Sequence, residues 1–241
     1  MQVMITGAGR GIGAHLALWY LRRGATVLAG RRSLDAESIL DRCDDGPGRR
    51  RDVALDVADP ESVRRAFEST TDFADIDVLI NNAGVYNADG TPHRPGESRQ
   101  SLSNISAADA LEVLRTNTVA PLVIAATWRG RLTGTRRTGG PLLVNVSSRF
   151  GSLAERVDGG DYYYAASKAA LNMVTRCLAS DLGPTVTVVS VHPGWVRTGV
   201  GGSGAPLAPE DAVETLGALF ARLRPSDTGT FVDQSGNEIP W

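Results

Sequence analysis

Short runs rich in β-branched residues alternate with helix-period segments along most of the chain, and this alternation most restricts what it can fold into. The strand-like runs lie near residues 2–6, 26–30, 53–56, 78–81, 142–147, 185–191 and 230–232, and helical patterns separate nearly all of them. Parallel neighbours need a crossover connection, so strands separated by single helices must lie parallel. The expected fold is α/β, with a doubly wound parallel sheet of about seven strands and helices on both faces. The first helix shows the pattern locally: Ile12, Leu16, Trp19 and Tyr20 form one apolar stripe before Gly24 ends it. Asp59 before Pro60 reads as an N-cap and first helical residue, and Ser106 with Asp109 opens a long helix.

With 241 residues and 42% hydrophobic content the chain can bury one substantial core, and no shift in composition marks a second domain. Residues 1–241 therefore read as one domain, with a ligand-binding half over 1–100 and a reactive half over 101–241. A net charge of −2 offers no field for nucleic acid or an anionic membrane, which leaves a small molecule as the expected partner. Cys43 and Cys177 match no metal-ligand or redox spacing, and they read as buried, inert thiols in a reducing compartment. Met1 runs straight into a strand pattern without a leader-like segment, and no apolar run reaches the ~20 residues that span a bilayer, so a cytoplasmic protein is expected.

Between the first strand and the first helix lies Thr6-Gly7-Ala8-Gly9-Arg10-Gly11-Ile12-Gly13. Glycine permits a tight turn and close backbone approach, and the helix N-terminus behind it favours a pyrophosphate, so this context predicts a Rossmann-like dinucleotide site. After the second strand the chain reads Gly30-Arg31-Arg32, with no local carboxylate to receive ribose hydroxyls. Arg31, with Arg10 from the glycine turn, is expected to bind a 2′-phosphate, which points to NADPH rather than NADH. Arg32 reads as a solvated surface residue.

Tyr164 and Lys168 stand four apart on a helical pattern continued by Leu171, Val174, Leu178 and Leu182. That spacing puts both on one face, where an ammonium would favour the phenolate and lower a phenol pKa of ~10. Tyr162 and Tyr163 have no such partner and read as packing or a cleft wall. The fifth strand ends in Ser147-Ser148 at the edge of the sheet where ligands bind, so Ser148 is placed to donate to a carbonyl oxygen. A nucleophilic serine is disfavoured, because no GxSxG elbow surrounds it and His15, His93 and His192 supply no obvious base.

Together with Asn81-Asn82-Ala83-Gly84 and Asn117, these motifs resemble the short-chain dehydrogenase/reductase family from end to end. The resemblance implies that Asn117, Ser148, Tyr164 and Lys168 form the catalytic set, Asn117 holding a water that relays protons to Lys168. It also implies that Asp56 and Val57 touch adenine, that Asn82, Ala83 and Gly84 line the cofactor, and that Pro193, Gly194, Val196 and Thr198 close on the nicotinamide. Gly159-Gly160, the 192–196 segment, the glycine-rich 201–207 segment and the 229–241 end are similar to the C-factor and sniffer-type carbonyl reductases. The implied activity is NADPH-dependent reduction of a ketone or aldehyde without a metal; the alternatives are alcohol oxidation and an idle dinucleotide-binding signalling protein. Tyr86, Phe150, Val157, Tyr162 and Trp195 are candidate substrate walls. The long 85–103 segment, with Tyr86, Pro92, His93 and Pro95, is either a determinant of substrate choice or a surface loop. The family also implies a homodimer or homotetramer built on the helices beginning near Ser106 and Tyr162.

Overall fold

The computed structural model describes residues 1–44, 46–91, 100–183 and 185–241. Seven strands, β1 (Gln2–Thr6), β2 (Thr26–Arg31), β3 (Arg49–Ala54), β4 (Val78–Asn81), β5 (Leu142–Val146), β6 (Thr187–His192) and β7 (Phe231–Asp233), form one sheet in the order β3-β2-β1-β4-β5-β6-β7. Every pairing between neighbours is parallel. The helices are α1 (Gly11–Leu21), α2 (Pro60–Ser69), α3 (Ala107–Leu114), α4 (Ala120–Trp128), α5 (Tyr162–Leu182) and α6 (Pro209–Arg222).

Strand side chains alternate between faces, and each face has its own core. Val3 and Ile5 of β1 pack with Leu16 and Tyr20 of α1 and with Leu216 and Phe220 of α6. Met4, between them, joins Leu28 and Leu79 on the other face, under Val63 of α2, Ile124 and Trp128 of α4, and Leu178 of α5. Chain order reverses between β1 and β4, which opens a crevice beyond the C-terminal ends of those strands, where doubly wound sheets bind ligands.

The caps expected from the sequence form. Asp59 Oδ1 accepts from the Glu61 N–H at 3.0 Å, and Ser106 Oγ accepts from the Asp109 N–H at 3.2 Å. The third strand differs from expectation: it begins at Arg49, well before residue 53, so Asp56 lies in the loop beyond it. As an edge strand it needs only β2 for backbone pairing, and basic side chains suit an edge that must not recruit further strands. The cysteines also differ, since both are exposed. Cys177 lies on α5 one turn after Met173, itself 64% exposed, so helical phase carries that thiol outward.

Candidate active site

The glycine turn and the segment after β4 are fastened together. Thr6 Oγ1 accepts from the Asn82 and Ala83 N–H groups at 3.1 Å each, and Asn82 Nδ2 donates to the Thr6 carbonyl at 2.9 Å. Gly7 has φ of +66°, and a Cβ there would fall 2.9 Å from Ala83 Cα, so both conformation and space require glycine. A Cβ on Gly13 would fall 2.4 Å from Asn82 Nδ2. The first turn of α1 behind this loop carries neither a capping side chain nor an acidic residue, which leaves its N–H groups open to an anion. Gly11 faces Thr198 from the loop after β6, while Ile12 packs onto the α1 core. In that loop Val196 and Leu207 form a parallel bridge that shapes the segment containing Pro193 and Gly194. Asp56 turns its Oδ1 to the Ala58 N–H at 3.0 Å, and Val57 packs against the α2 side of the core.

Arg31 is 3% exposed, and the fold supplies the carboxylates that its neighbours in sequence lack. Asp41 receives hydrogen bonds from Nη1 and Nη2, each at 3.1 Å, Asp52 accepts from Nη1 at 3.4 Å, and the Ala36 carbonyl accepts from Nη2 at 2.5 Å. The expectation of an acid-free environment after β2 is therefore corrected: Asp41 arrives on a short 3₁₀ turn (Ile39–Asp41), and Asp52 from β3, one strand away. Nε of Arg31 is buried without a partner and is the nitrogen closest to Gly9. The Arg10 guanidinium lies over Gly199, 3.6 Å from where a Cβ would stand.

On the other side of the crevice, Tyr164, Lys168 and Ser148 converge. Lys168 Nζ lies 5.7 Å from the centre of the Tyr164 ring and donates to the Val146 carbonyl at 2.8 Å, and Tyr164 hydrogen-bonds Ser148. Ser148 Oγ also accepts from the Phe150 N–H at 3.2 Å. The expectation of a lowered phenol pKa is reversed here. Burial raises Tyr164 to about 12 despite the lowering effect of Ser148, and burial also brings Lys168 down to about 8. Tyr164 is therefore fully protonated at neutral pH.

Asn117 is completely buried in a π-helical turn (Arg115–Val119) between α3 and α4. Its Oδ1 accepts from the Val85 N–H at 2.9 Å, and its Nδ2 donates to the Val85 carbonyl at 2.8 Å and to Ser167 Oγ at 3.0 Å. The side chain thus ties the segment after β4 to α5. A Cβ on Gly84 would meet Asn117 Oδ1 at 3.2 Å and Lys168 Nζ at 3.6 Å, which places this motif glycine against both.

Of the proposed substrate walls, Tyr86 and Phe150 flank Tyr164, with ring centres 5.0 and 6.1 Å away. The Tyr86 hydroxyl donates to Asp161, the one non-glycine residue with positive φ among those described. Val157 is 89% exposed, Tyr162 is 38% exposed, and Trp195 is half-exposed with its indole N–H on the Gly201 carbonyl at 2.8 Å. Tyr163 is a packing residue whose hydroxyl accepts from the Ser106 N–H. Gln100 accepts from the Tyr164 N–H at 3.0 Å and donates to the Tyr86 carbonyl at 2.7 Å, so both ends of the 85–103 segment clasp the first turn of α5. Pro92, His93 and Pro95 of that segment lie outside the described residues.

A family model described as short chain dehydrogenase matches residues 1–205. The chain belongs to the short-chain dehydrogenase family. It is 38% identical to the C-signal protein of Myxococcus xanthus over 73% of this chain and 99% of that one. Among solved structures it is similar to an NADPH-bound carbonyl reductase from chicken fatty liver, with a TM-score of 0.87, 28% identity and coverage of 100% and 98% of the two chains. It is also similar to the carbonyl reductase Sniffer of D. melanogaster, with a TM-score of 0.82, 27% identity and coverage of 100% and 99%. No helix among the described residues of this short-chain dehydrogenase is long and apolar enough to cross a membrane.

Sequence reasoning missed Asn172. Two helical turns beyond Tyr164, it accepts from Ser147 Oγ at 2.7 Å and donates to the Gly151 carbonyl at 3.2 Å, bracketing Ser148. Its spacing of eight from Tyr164 was the available signal. Lys168 had a second signal in composition: it is the only lysine in the chain, all other basic side chains of the Lys/Arg class being arginine. Arginine cannot release its proton in a protein and lysine can.

Proposed function

We propose that this short-chain dehydrogenase is an NADPH-dependent carbonyl reductase that converts a ketone or aldehyde to an alcohol. The observation that carries this reading is the convergence of Tyr164, Ser148 and Lys168 at the sheet edge beside the glycine turn. The residues suit a phosphorylated dinucleotide: the first turn of α1 is uncapped, the glycine turn admits close approach, and the buried Arg31 Nε has no partner. The carbonyl reductases named above, one of them NADPH-bound, support the same choice. Thr6, Gly7, Gly9, Gly11, Ile12 and Gly13 would hold the pyrophosphate side, Arg31 the 2′-phosphate, Asp56 and Val57 the adenine, and Asn82 to Gly84 with Pro193, Gly194, Val196 and Thr198 the nicotinamide side. NADPH, when bound, supplies a hydride to the carbonyl carbon.

Ser148 donates to the carbonyl oxygen, and Tyr164 Oη gives that oxygen its proton as charge develops. Interactions that strengthen with this charge lower the barrier. Lys168, with a water held near Asn117, returns a proton to Tyr164. Tyr86 and Phe150 present aromatic surface beside the reacting group, which favours an apolar carbonyl compound. We place the protein in the cytoplasm, as a homodimer or homotetramer.

The test is NADPH oxidation across ketones, aldehydes, quinones and diketones. Tyr164→Phe is expected to lose at least about a hundredfold in kcat while its Kd for NADPH stays within about threefold, since proton transfer by a positioned group is worth ~10²–10⁴. Turnover retained by the variant would reject Tyr164 as the donor. The likeness to a protein named C-signal favours one second reading, a signalling protein, which a complete absence of turnover by the native chain would support.

A further inference from the structure

Arg31 is not waiting as a free cation. Asp41 grips both Nη atoms, Asp52 holds Nη1, and Arg50 approaches the same two carboxylates, with Nη2 3.3 Å from Asp41 and Nε 3.5 Å from Asp52. Among the described residues, two guanidinium groups thus face two carboxylates at the point where the second strand delivers its side chains to the crevice. A dianionic phosphate arriving there meets a guanidinium already held by two carboxylates. The two carboxylates are not equivalent. Asp52 is fixed in β3, paired in register with Ala29, and is 22% exposed. Asp41 is 37% exposed, sits at the end of a single 3₁₀ turn, and follows a largely exposed stretch over 32–37.

We infer that Asp41 is a specificity-determining residue for the cofactor: it competes with a 2′-phosphate for the Arg31 guanidinium and so tempers the preference for the phosphorylated dinucleotide. This rests on the reading that Arg31 is the phosphate-binding residue. A dinucleotide lacking the phosphate has no need to break the Arg31–Asp41 fork, and its ribose hydroxyls have a carboxylate available as an acceptor. Bidentate guanidinium pairs of this kind are strong and directional, so the competition is large enough to measure.

The experiment is calorimetric titration of the full chain with NADP⁺ and with NAD⁺, with no substrate present. Asp41→Asn retains an oxygen for the Ser38 N–H, which Asp41 Oδ2 caps at 3.1 Å, and removes the competing charge. The variant is expected to bind NADP⁺ at least fivefold more tightly while NAD⁺ binding holds or weakens, so the affinity ratio rises. Asp41→Ser, which removes the same charge with a smaller side chain, should move the ratio in the same direction. Arg31→Ala should lower the ratio, and Asp41→Asn added to Arg31→Ala should recover nothing. An unchanged or lower ratio in both Asp41 variants, with Arg31→Ala still lowering it, would overturn the role of Asp41 alone. A ratio indifferent to Arg31→Ala would instead remove the phosphate assignment on which it depends.

Discussion

At the scale of single residues, the site is governed by the burial of two groups that ionise in opposite senses. Desolvation holds Tyr164 as a neutral phenol and weakens the hold of Lys168 on its proton. The stability consequence has a definite sign. Lys168 ionises at about 8 in the fold against 10.5 unperturbed, so between those values the unfolded chain binds the additional proton and native stability rises with pH. Lys168→Met lacks this group; its stability advantage over the native chain should be greatest below pH 8 and shrink by about 1.4 kcal/mol per pH unit through the window, as read by denaturant melts. In the same free enzyme, kcat/KM for reduction should fall as pH passes about 8 and Lys168 loses the proton that restores Tyr164, and Lys168→Arg, which cannot release a proton, should lose activity at every pH rather than move this fall. A profile flat from pH 7 to 9.5 would count against Lys168 in the relay.

At the scale of elements, the π turn at Arg115–Val119 brings Asn117 within reach of both the β4 loop and α5. Such turns recur at functional sites because the extra residue redirects a side chain that a regular helix would aim elsewhere. Asn117→Leu should cost about 2 to 3 kcal/mol in a thermal or denaturant melt, because the part-buried Val85 N–H and C=O and the buried Ser167 hydroxyl lose their partner. Activity should fall beyond what the folded fraction explains, since Lys168 and Gly84 lose a fixed neighbour. The helix containing Asn117 was legible from Ser106 onward, through its cap, whereas the π turn was not, because one extra residue per turn leaves no distinct mark in a pattern of apolar positions. The third strand was misplaced for a related reason: Arg49, Arg50 and Arg51 carry no strand-like hydrophobicity, and only pairing with β2 makes them a strand.

For the whole molecule, α3, the π turn, α4 and α5 leave Leu111, Val119, Leu122 and Met173 exposed by 42% or more, on the helices expected to meet a second copy. Sedimentation velocity should give a dimer or larger assembly that the double substitution Leu122→Asp and Met173→Asp shifts toward monomer; a native monomer at micromolar concentration would reject the assembly. The alternation of strands and helices, the glycine turn and the Tyr164–Lys168 spacing were determined by the sequence itself, because each depends on residues near one another along the chain and on the fixed periods of strand and helix. Only the tertiary structure decided that Asp41 and Asp52 hold Arg31, that Asn172 brackets Ser148, and that Tyr86, rather than Val157, stands beside Tyr164. Those depend on the register of neighbouring strands and on which helix face the sheet buries, and the same burial, absent from any local pattern, turned the Tyr164 pKa upward.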